Sequence, residues 1–149
     1  MSDTPLRLVL FDFDGTLCDS AATIIRLMKQ ACAACDLPVP EDSFIRGNIG
    51  HGVSHAALAY ADGDSEKASQ LAETYRQIAR NEYLGGQPPL DPLFDGAEDV
   101  LRTLQSRGYL MGIITNKSRT GLDSLITRHG LDQQVDVTIS ADDCTVKPA

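Results

Sequence analysis

Positive charge is scarce in this chain. Its 149 residues include 13 Lys and Arg against 21 Asp and Glu, for a net charge of −8. Nucleic acids and anionic membrane surfaces are held by basic patches, so that balance argues against both as partners. Long apolar runs are lacking too, and none approaches the roughly 18 residues of a membrane span. The acidic N-terminus leads its one apolar run straight into carboxylates, and reads as a strand and not as a signal peptide. Cysteine is sparse: Cys18, Cys32, Cys35 and Cys144 are too few for a disulfide scaffold at this length, and predict a cytoplasmic setting with reduced thiols. Cys32 and Cys35 form a CxxC, but on a helical pattern with no second pair, and they read as small apolar side chains on a buried face. Neither an internal repeat nor a low-complexity tract is present.

Hydrophobic residues make up 42% of the chain, enough for a proper core. Leu6 to Phe11 (LRLVLF) is a nearly continuous apolar run, the pattern of a central strand covered on both faces. A helical stretch starts near Ser20 as N-cap, with Ile24, Met28, Ala31 and Cys35 on one face and Ile25 and Cys32 beside them; Pro38 and Pro40 end it. EDSFIRGNIGHG, VSHAALAYA and DSEKASQLAETYRQIARNEYL are helical in period, divided by glycine-containing breaks. GGQPPLDPLF, with two glycines and three prolines, is a linker.

The pattern then changes. GAEDVLRTLQSRG predicts a helix with Ala97, Val100, Leu101 and Leu104 on one face and Gly108 as C-cap. YLMGIITN is a second buried strand. SRTGLDSLITRHG is a helix lining up Leu122, Leu125, Ile126 and His129, closed by Gly130, and QVDVTIS is a third strand. Strand and helix in alternation imply parallel strands joined by right-handed crossovers. The predicted architecture is therefore α/β, a Rossmann-like parallel sheet formed by residues 1–17 and 93–149. An all-helical segment, 18–92, interrupts it above the carboxyl ends of the strands, where open α/β sheets bind ligands.

That crevice is where chemistry-bearing residues collect. Asp12 and Asp14 sit where the first strand gives out, Gly15 permits a sharp turn, and Thr16 adds a hydroxyl and a backbone N–H. An Asp-rich turn that merely caps backbone amides is the plainer alternative. An EF-hand is excluded, because TLCDSAA lacks the later oxygen ligands and the closing Glu. A glycosyltransferase-type DxD stays open on the pair alone, although the Gly-Thr turn and the helices that follow do not suggest it. Thr115 and Asn116 end the second strand, placed to give a hydroxyl and amides to an oxyanion. Lys147 follows the third strand and supplies a cation. An anionic substrate in so acidic a chain also makes a metal ion the natural counter-charge.

DFDGTLCDS, ITNK and VKPA, in this order and at strand ends, resemble the first three motifs of the haloacid dehalogenase-like phosphohydrolases. PLFDGAEDVLRTLQSRGYLMGIITNKS is similar to the phosphoglycolate phosphatase branch, which carries a helical cap at this point. The resemblance implies Asp12 as nucleophile, forming a phosphoaspartyl intermediate, and Asp14 as general acid/base. It further implies Gly15, Thr16, Thr115, Asn116 and Lys147 on the phosphate side, and Mg²⁺ on the Asp12 carboxylate and the Asp14 backbone carbonyl. The expected activity is Mg²⁺-dependent hydrolysis of a small-molecule phosphomonoester, with phosphoglycolate first in line. Residues 18–92 would be the cap, and in RGNIGHG either Arg46 or His51 would meet a substrate carboxylate.

The family's fourth motif, one or two aspartates on a further strand, has no counterpart in this order. Asp142 and Asp143 precede Lys147 and read as loop residues. The expectation is accordingly an N-terminal portion of such a phosphatase, whose first strand would be a bare apolar edge. Two alternatives accompany it: a portion without turnover that at most binds phosphate or a partner, and a sugar-phosphate mutase of the same fold. Dehalogenase relatives do not need Asp14, and its presence argues against them.

Overall fold

A computed structural model describes residues 5–144 and 147. Thr145, Val146, Pro148 and Ala149, the other residues of the third motif stretch, lie outside the described residues. Three short parallel strands, β1 (Leu8–Phe11), β2 (Leu110–Ile114) and β3 (Val137–Ile139), form one sheet in the order β1-β2-β3. The register sets Leu10 beside Gly112 beside Val137, and Phe11 beside Ile113 beside Thr138. Gly112 is required by this packing: a Cβ there would lie 2.6 Å from Leu10 Cδ2 and 3.0 Å from Val137 Cγ1.

One face of the sheet is covered. Helices α5 (Ala97–Ser106) and α6 (Arg119–His129) bring Leu101, Leu122 and Leu125 against Met111 and Ile113, all fully buried. The other face is open, with Leu8 and Leu10 each 51% exposed and Val137 45% exposed. The expectation of a first strand covered on both faces is therefore corrected. Among the described residues β1 pairs only with β2 and is an edge strand. The motif order implied such an edge.

Between β1 and α5 come four helices: α1 (Ala21–Ala34), α2 (Asp42–Gly47), α3 (Val53–Tyr60) and α4 (Ser65–Leu84). They bury a cluster of their own, centred on Met28, Ala31, Ile45, Ala57 and Leu71. The Asp64 side chain caps α4, accepting from the amides of Glu66 and Lys67. Cys32 is buried and Cys35 donates to Thr74 Oγ1 at 3.3 Å, in keeping with a packing role. α1 stops at Ala34, before either proline, where Asp36 adopts a positive φ of 53°. Val100 departs from the expected apolar face of α5 and is 48% exposed, whereas Ala97 and Leu101 on the same helix are buried. Among the described residues no helix is long and apolar enough to cross a membrane.

The chain leaves and re-enters the sheet layer through a paired neck. Asp19 N donates to Pro92 O at 2.8 Å, and Phe94 N donates to Leu17 O at 3.0 Å. Asp91, 5% exposed, ties this neck together. Its Oδ1 accepts from Thr23 of α1 at 2.5 Å, its Oδ2 from the Tyr83 hydroxyl of α4 at 3.5 Å, and its carbonyl meets His129 Nε2 of α6 at 2.7 Å.

Candidate active site

Residues 12–18 turn sharply at the carboxyl end of β1. Phe13 is fully buried in the core, while Asp12 and Asp14 on either side of it are only partly buried. Gly15, at φ 78°, allows the chain to fold back. The Phe13 carbonyl then accepts from the amides of Thr16, Leu17 and Cys18 at 3.0–3.2 Å, while Gly15 N donates to Cys18 O at 2.9 Å. This corrects part of the phosphate-side expectation: the amides of Gly15 and Thr16 are spent inside the turn. What Thr16 can still offer a ligand is its exposed hydroxyl.

The two carboxylates occupy different surroundings. Asp12 Oδ1 accepts from Phe13 N at 2.7 Å and lies 3.4 Å from Lys147 Nζ. Asp14 Oδ1 accepts from Ser20 Oγ at 2.6 Å and from Lys117 Nζ at 3.0 Å. Ser20 stands at the start of α1 as expected but makes no side-chain cap bond; its hydroxyl is committed to Asp14 instead. The Asp14 and Lys117 side chains are 11% and 8% exposed. Burial alone would pull the Lys117 ammonium down, but Asp14 beside it, together with the Tyr83 and Tyr75 hydroxyls, outweighs that and holds it above the usual lysine range. Its Nζ also lies 5.3 Å from the centre of the Tyr83 ring. Burial pushes the Tyr83 hydroxyl up to about 12, against the opposing pull of Lys117.

Thr115, 3% exposed, leaves β2 beside them. Its Oγ1 accepts from Lys117 N at 3.2 Å, so the hydroxyl proton remains to be donated. Asn116 spans the site. Its Oδ1 accepts from Lys147 N at 2.8 Å, and its Nδ2 donates to Lys147 O at 3.0 Å and to Gly50 O at 2.8 Å. Lys147 Nζ donates in turn to Ile114 O at 2.6 Å. Asp12, Asp14, Thr115, Asn116 and Lys147 are therefore gathered at the carboxyl ends of the three strands. Two lysines there balance two aspartates, so the crevice does not share the chain's excess negative charge.

The specificity candidates separate. His51 lines a cavity of about 240 Å³ that runs from Asn116 and Lys117 up between α1 and α4. Arg46 lies exposed in the last turn of α2 and does not line it. Arg76 of α4 does, with its guanidinium 2.8 Å from Ser54 Oγ. Asp143 accepts from Ser140 N, Ser140 Oγ and Arg119, and Asp142 accepts from Arg119 N. Both aspartates serve the loop and the start of α6, as loop residues should.

Sequence reading missed Lys117, Ser20, Tyr83 and Arg76. Only Lys117 left a signal, as a second lysine directly after the Thr-Asn of ITNK.

For a divalent cation the described residues offer hard oxygen donors of the right kind. No described residue donates to Asp12 Oδ2, and no backbone amide among them donates to the Asp14 carbonyl. One or two carboxylates supplemented by water and substrate phosphate suit Mg²⁺. Among the described residues no group of three His, Cys, Asp or Glu is placed to hold a metal, so the set is partial.

The chain is similar to known proteins. Residues 9–149 match the haloacid dehalogenase-like hydrolase family. A phosphoglycolate phosphatase of Yersinia pestis is 32% identical over 145 residues, covering 95% of this chain and 62% of that protein. An N-acetylmuramic acid 6-phosphate phosphatase of Pseudomonas aeruginosa is 29% identical over 140 residues, covering 94% and 61%. The chain thus spans about three fifths of the length of these relatives. Among solved structures, a haloacid dehalogenase-like hydrolase from Bacteroides fragilis superposes with a TM-score of 0.82 at 25% identity, covering 95% of this chain and 66% of that one. The match runs through all three strand-end clusters, and on it the chain belongs to the haloacid dehalogenase-like hydrolase family.

Proposed function

We propose that the chain carries the nucleophile, the acid/base group and the phosphate-side residues of a Mg²⁺-dependent phosphomonoesterase acting on a small molecule. The observation that carries this reading is the pairing of Asp12 with Lys147 and of Asp14 with Lys117 and Ser20 at one strand end. Two carboxylates two residues apart are thereby put in different states of restraint. Asp12 meets one amide and one ammonium, whereas Asp14 takes two side-chain donors on a single oxygen, and the two can serve different roles.

In this reading the Asp12 carboxylate attacks phosphorus, and the bond from phosphorus to the ester oxygen breaks. Asp14 gives its proton to the departing alkoxide, and then takes one from the water that attacks the phosphoaspartyl group. The second attack breaks the acyl phosphate and returns Asp12 as a carboxylate and phosphate as product. Thr115 Oγ1 and Asn116 N orient phosphoryl oxygens, and Lys147 neutralises charge beside Asp12. A carboxylate meeting a phosphate monoester is opposed by roughly 4 kcal/mol per unit-charge pair at 4 Å and an effective dielectric of 20. Mg²⁺ would be held by the Asp12 carboxylate and the Asp14 carbonyl, and would supply the charge neutralisation that the lysines leave incomplete.

We read residues 18–92 as a cap. The reading is supported by their separate apolar cluster, the paired neck at Asp19 and Pro92, and the Gly50 carbonyl bonded to Asn116. Phosphoglycolate is the first substrate to try, because the Yersinia pestis relative bears that name; the Pseudomonas aeruginosa relative makes a sugar 6-phosphate the second. Free thiols at Cys18 and Cys32 accord with a cytoplasmic setting. One observation favours a second reading, phosphate binding without turnover: the partial set of acidic ligands. The experiment is phosphate release from a panel of monoesters, with Mg²⁺ and with chelator, by the chain and its Asp12→Asn variant. Release that needs both Mg²⁺ and Asp12 supports hydrolysis. Phosphate binding with no release on any ester supports the second reading.

A further inference from the structure

Lys117 pairs with Asp14 but has no step of its own in the proposed chemistry. It is buried to 8% exposure, yet its amine reaches no solvent-facing partner: Asp14 Oδ1 lies 3.0 Å away on one side and the Tyr83 ring centre 5.3 Å away on the other. Burying an ammonium is costly unless it is paired and hydrogen-bonded, so this placement needs a reason beyond surface chemistry. Asp14 provides one. Ser20 Oγ and Lys117 Nζ both fall on the same oxygen, Oδ1, and among the described residues no hydrogen bond reaches Oδ2. Two donors on one oxygen restrain the carboxyl group and leave the second oxygen without a hydrogen bond among the described residues. The donors come from the two sides of the site, Ser20 from the start of α1 and Lys117 from the end of β2, while Tyr83 belongs to the last turn of α4.

The geometry points to Lys117 as a positioning residue for acid/base catalysis: clamped between Asp14 and the Tyr83 ring, it pins Asp14 Oδ1 so that Oδ2 alone exchanges protons with the leaving group and the water. This rests on the phosphomonoesterase reading. The balance is that reading's own: the proton leaves Oδ2 for the alkoxide as the ester bond breaks, and returns to Oδ2 from the attacking water.

A structural role would lower turnover of every ester alike. A role exercised through Asp14 depends on whether the leaving group needs a proton. The test compares kcat/KM of the chain and Lys117→Met on an alkyl phosphate and on a nitrophenyl phosphate, whose leaving group departs without one. The expected loss is about a hundredfold on the alkyl ester, within the range of general acid catalysis, and under tenfold on the nitrophenyl ester. In an Asp14→Asn background, Lys117→Met should cause no further loss, as for residues acting through one group. That second pair also serves if Lys117→Met alone fails to fold, since Asp14→Asn removes the carboxylate that would be left unpaired. Equal losses on both esters, or a further tenfold loss in the Asp14→Asn background, would overturn the inference and leave the phosphomonoesterase reading standing. No turnover of either ester by the unsubstituted chain overturns both.

Discussion

Asn116 grips the backbone of Lys147 from both sides, accepting from its N–H at 2.8 Å and donating to its carbonyl at 3.0 Å, and with the same Nδ2 reaches Gly50 O at 2.8 Å. One amide side chain thus joins the end of β2, the cation beside Asp12, and the loop between α2 and α3. A side chain with these three bonds is a brace for the phosphate side of the site.

Asn116→Ala removes all three bonds at once. Each is worth about 1 kcal/mol, and allowing for partial replacement by water the expected cost to phosphate affinity is about 2 kcal/mol. That corresponds to roughly thirtyfold weaker competitive inhibition by orthophosphate in the presence of Mg²⁺. A Ki within twofold of the original would show that Lys147 holds its place without the brace.

Asp91 makes a prediction about stability. Its carboxylate is buried with Thr23 Oγ1 and the Tyr83 hydroxyl as partners, at the neck where the helical segment joins the sheet. Asp91→Ala leaves both hydroxyls without that acceptor, for an expected loss of about 2–3 kcal/mol of unfolding free energy by urea titration. Thr23→Val should recover little of it, because Tyr83 would still lack its partner. A loss below about 0.5 kcal/mol would contradict the tie described here.

Much of this arrangement was legible from local pattern. Asp12 and Asp14, Thr115 and Asn116, and Lys147 each follow an apolar run, and strand ends in a parallel sheet converge whatever the intervening sequence. Ser118 and Gly130 likewise mark the two ends of α6 by their own chemistry, a side-chain cap and a left-handed turn. What stayed hidden depends on distance. Lys117 and Asp14 are 103 residues apart, and although Lys117 directly follows the strand-end Thr-Asn, that local position does not show which carboxylate it meets. Ser20 reads as a helix cap in either case, because the serine that caps and the serine that bonds Asp14 share one position in sequence. The run LRLVLF is apolar on both faces and so resembles a central strand, but a periodic pattern records no neighbours. The open face at Leu8 and Leu10 appears only once the sheet order is known.

Asp143 gives the stability a pH dependence with a definite sign. Hydrogen bonds from the Ser140 amide, then Arg119 and the Ser140 hydroxyl, lower its carboxyl from the ordinary 3.8 to about 2. A carboxyl whose folded pKa is depressed adds stability that is complete above the unfolded value. It is lost as pH falls through the folded one. The chain should therefore lose stability between about pH 4 and pH 2, and Asp143→Asn should flatten that part of the profile while leaving the slope above pH 5 unchanged. Urea midpoints measured across this range check it; identical profiles for the two proteins would contradict the Arg119 and Ser140 contacts.

The central claim is that Asp12 accepts the phosphoryl group, and the most direct measurement is the mass of the chain after rapid acid quench during incubation with Mg²⁺ and a phosphomonoester. The account predicts a population heavier by one phosphoryl group. Fragmentation should localise the group to Asp12, and the adduct should be absent with chelator and absent from Asp12→Asn. An adduct on another residue, or ester hydrolysis that proceeds undiminished in Asp12→Asn, would contradict it.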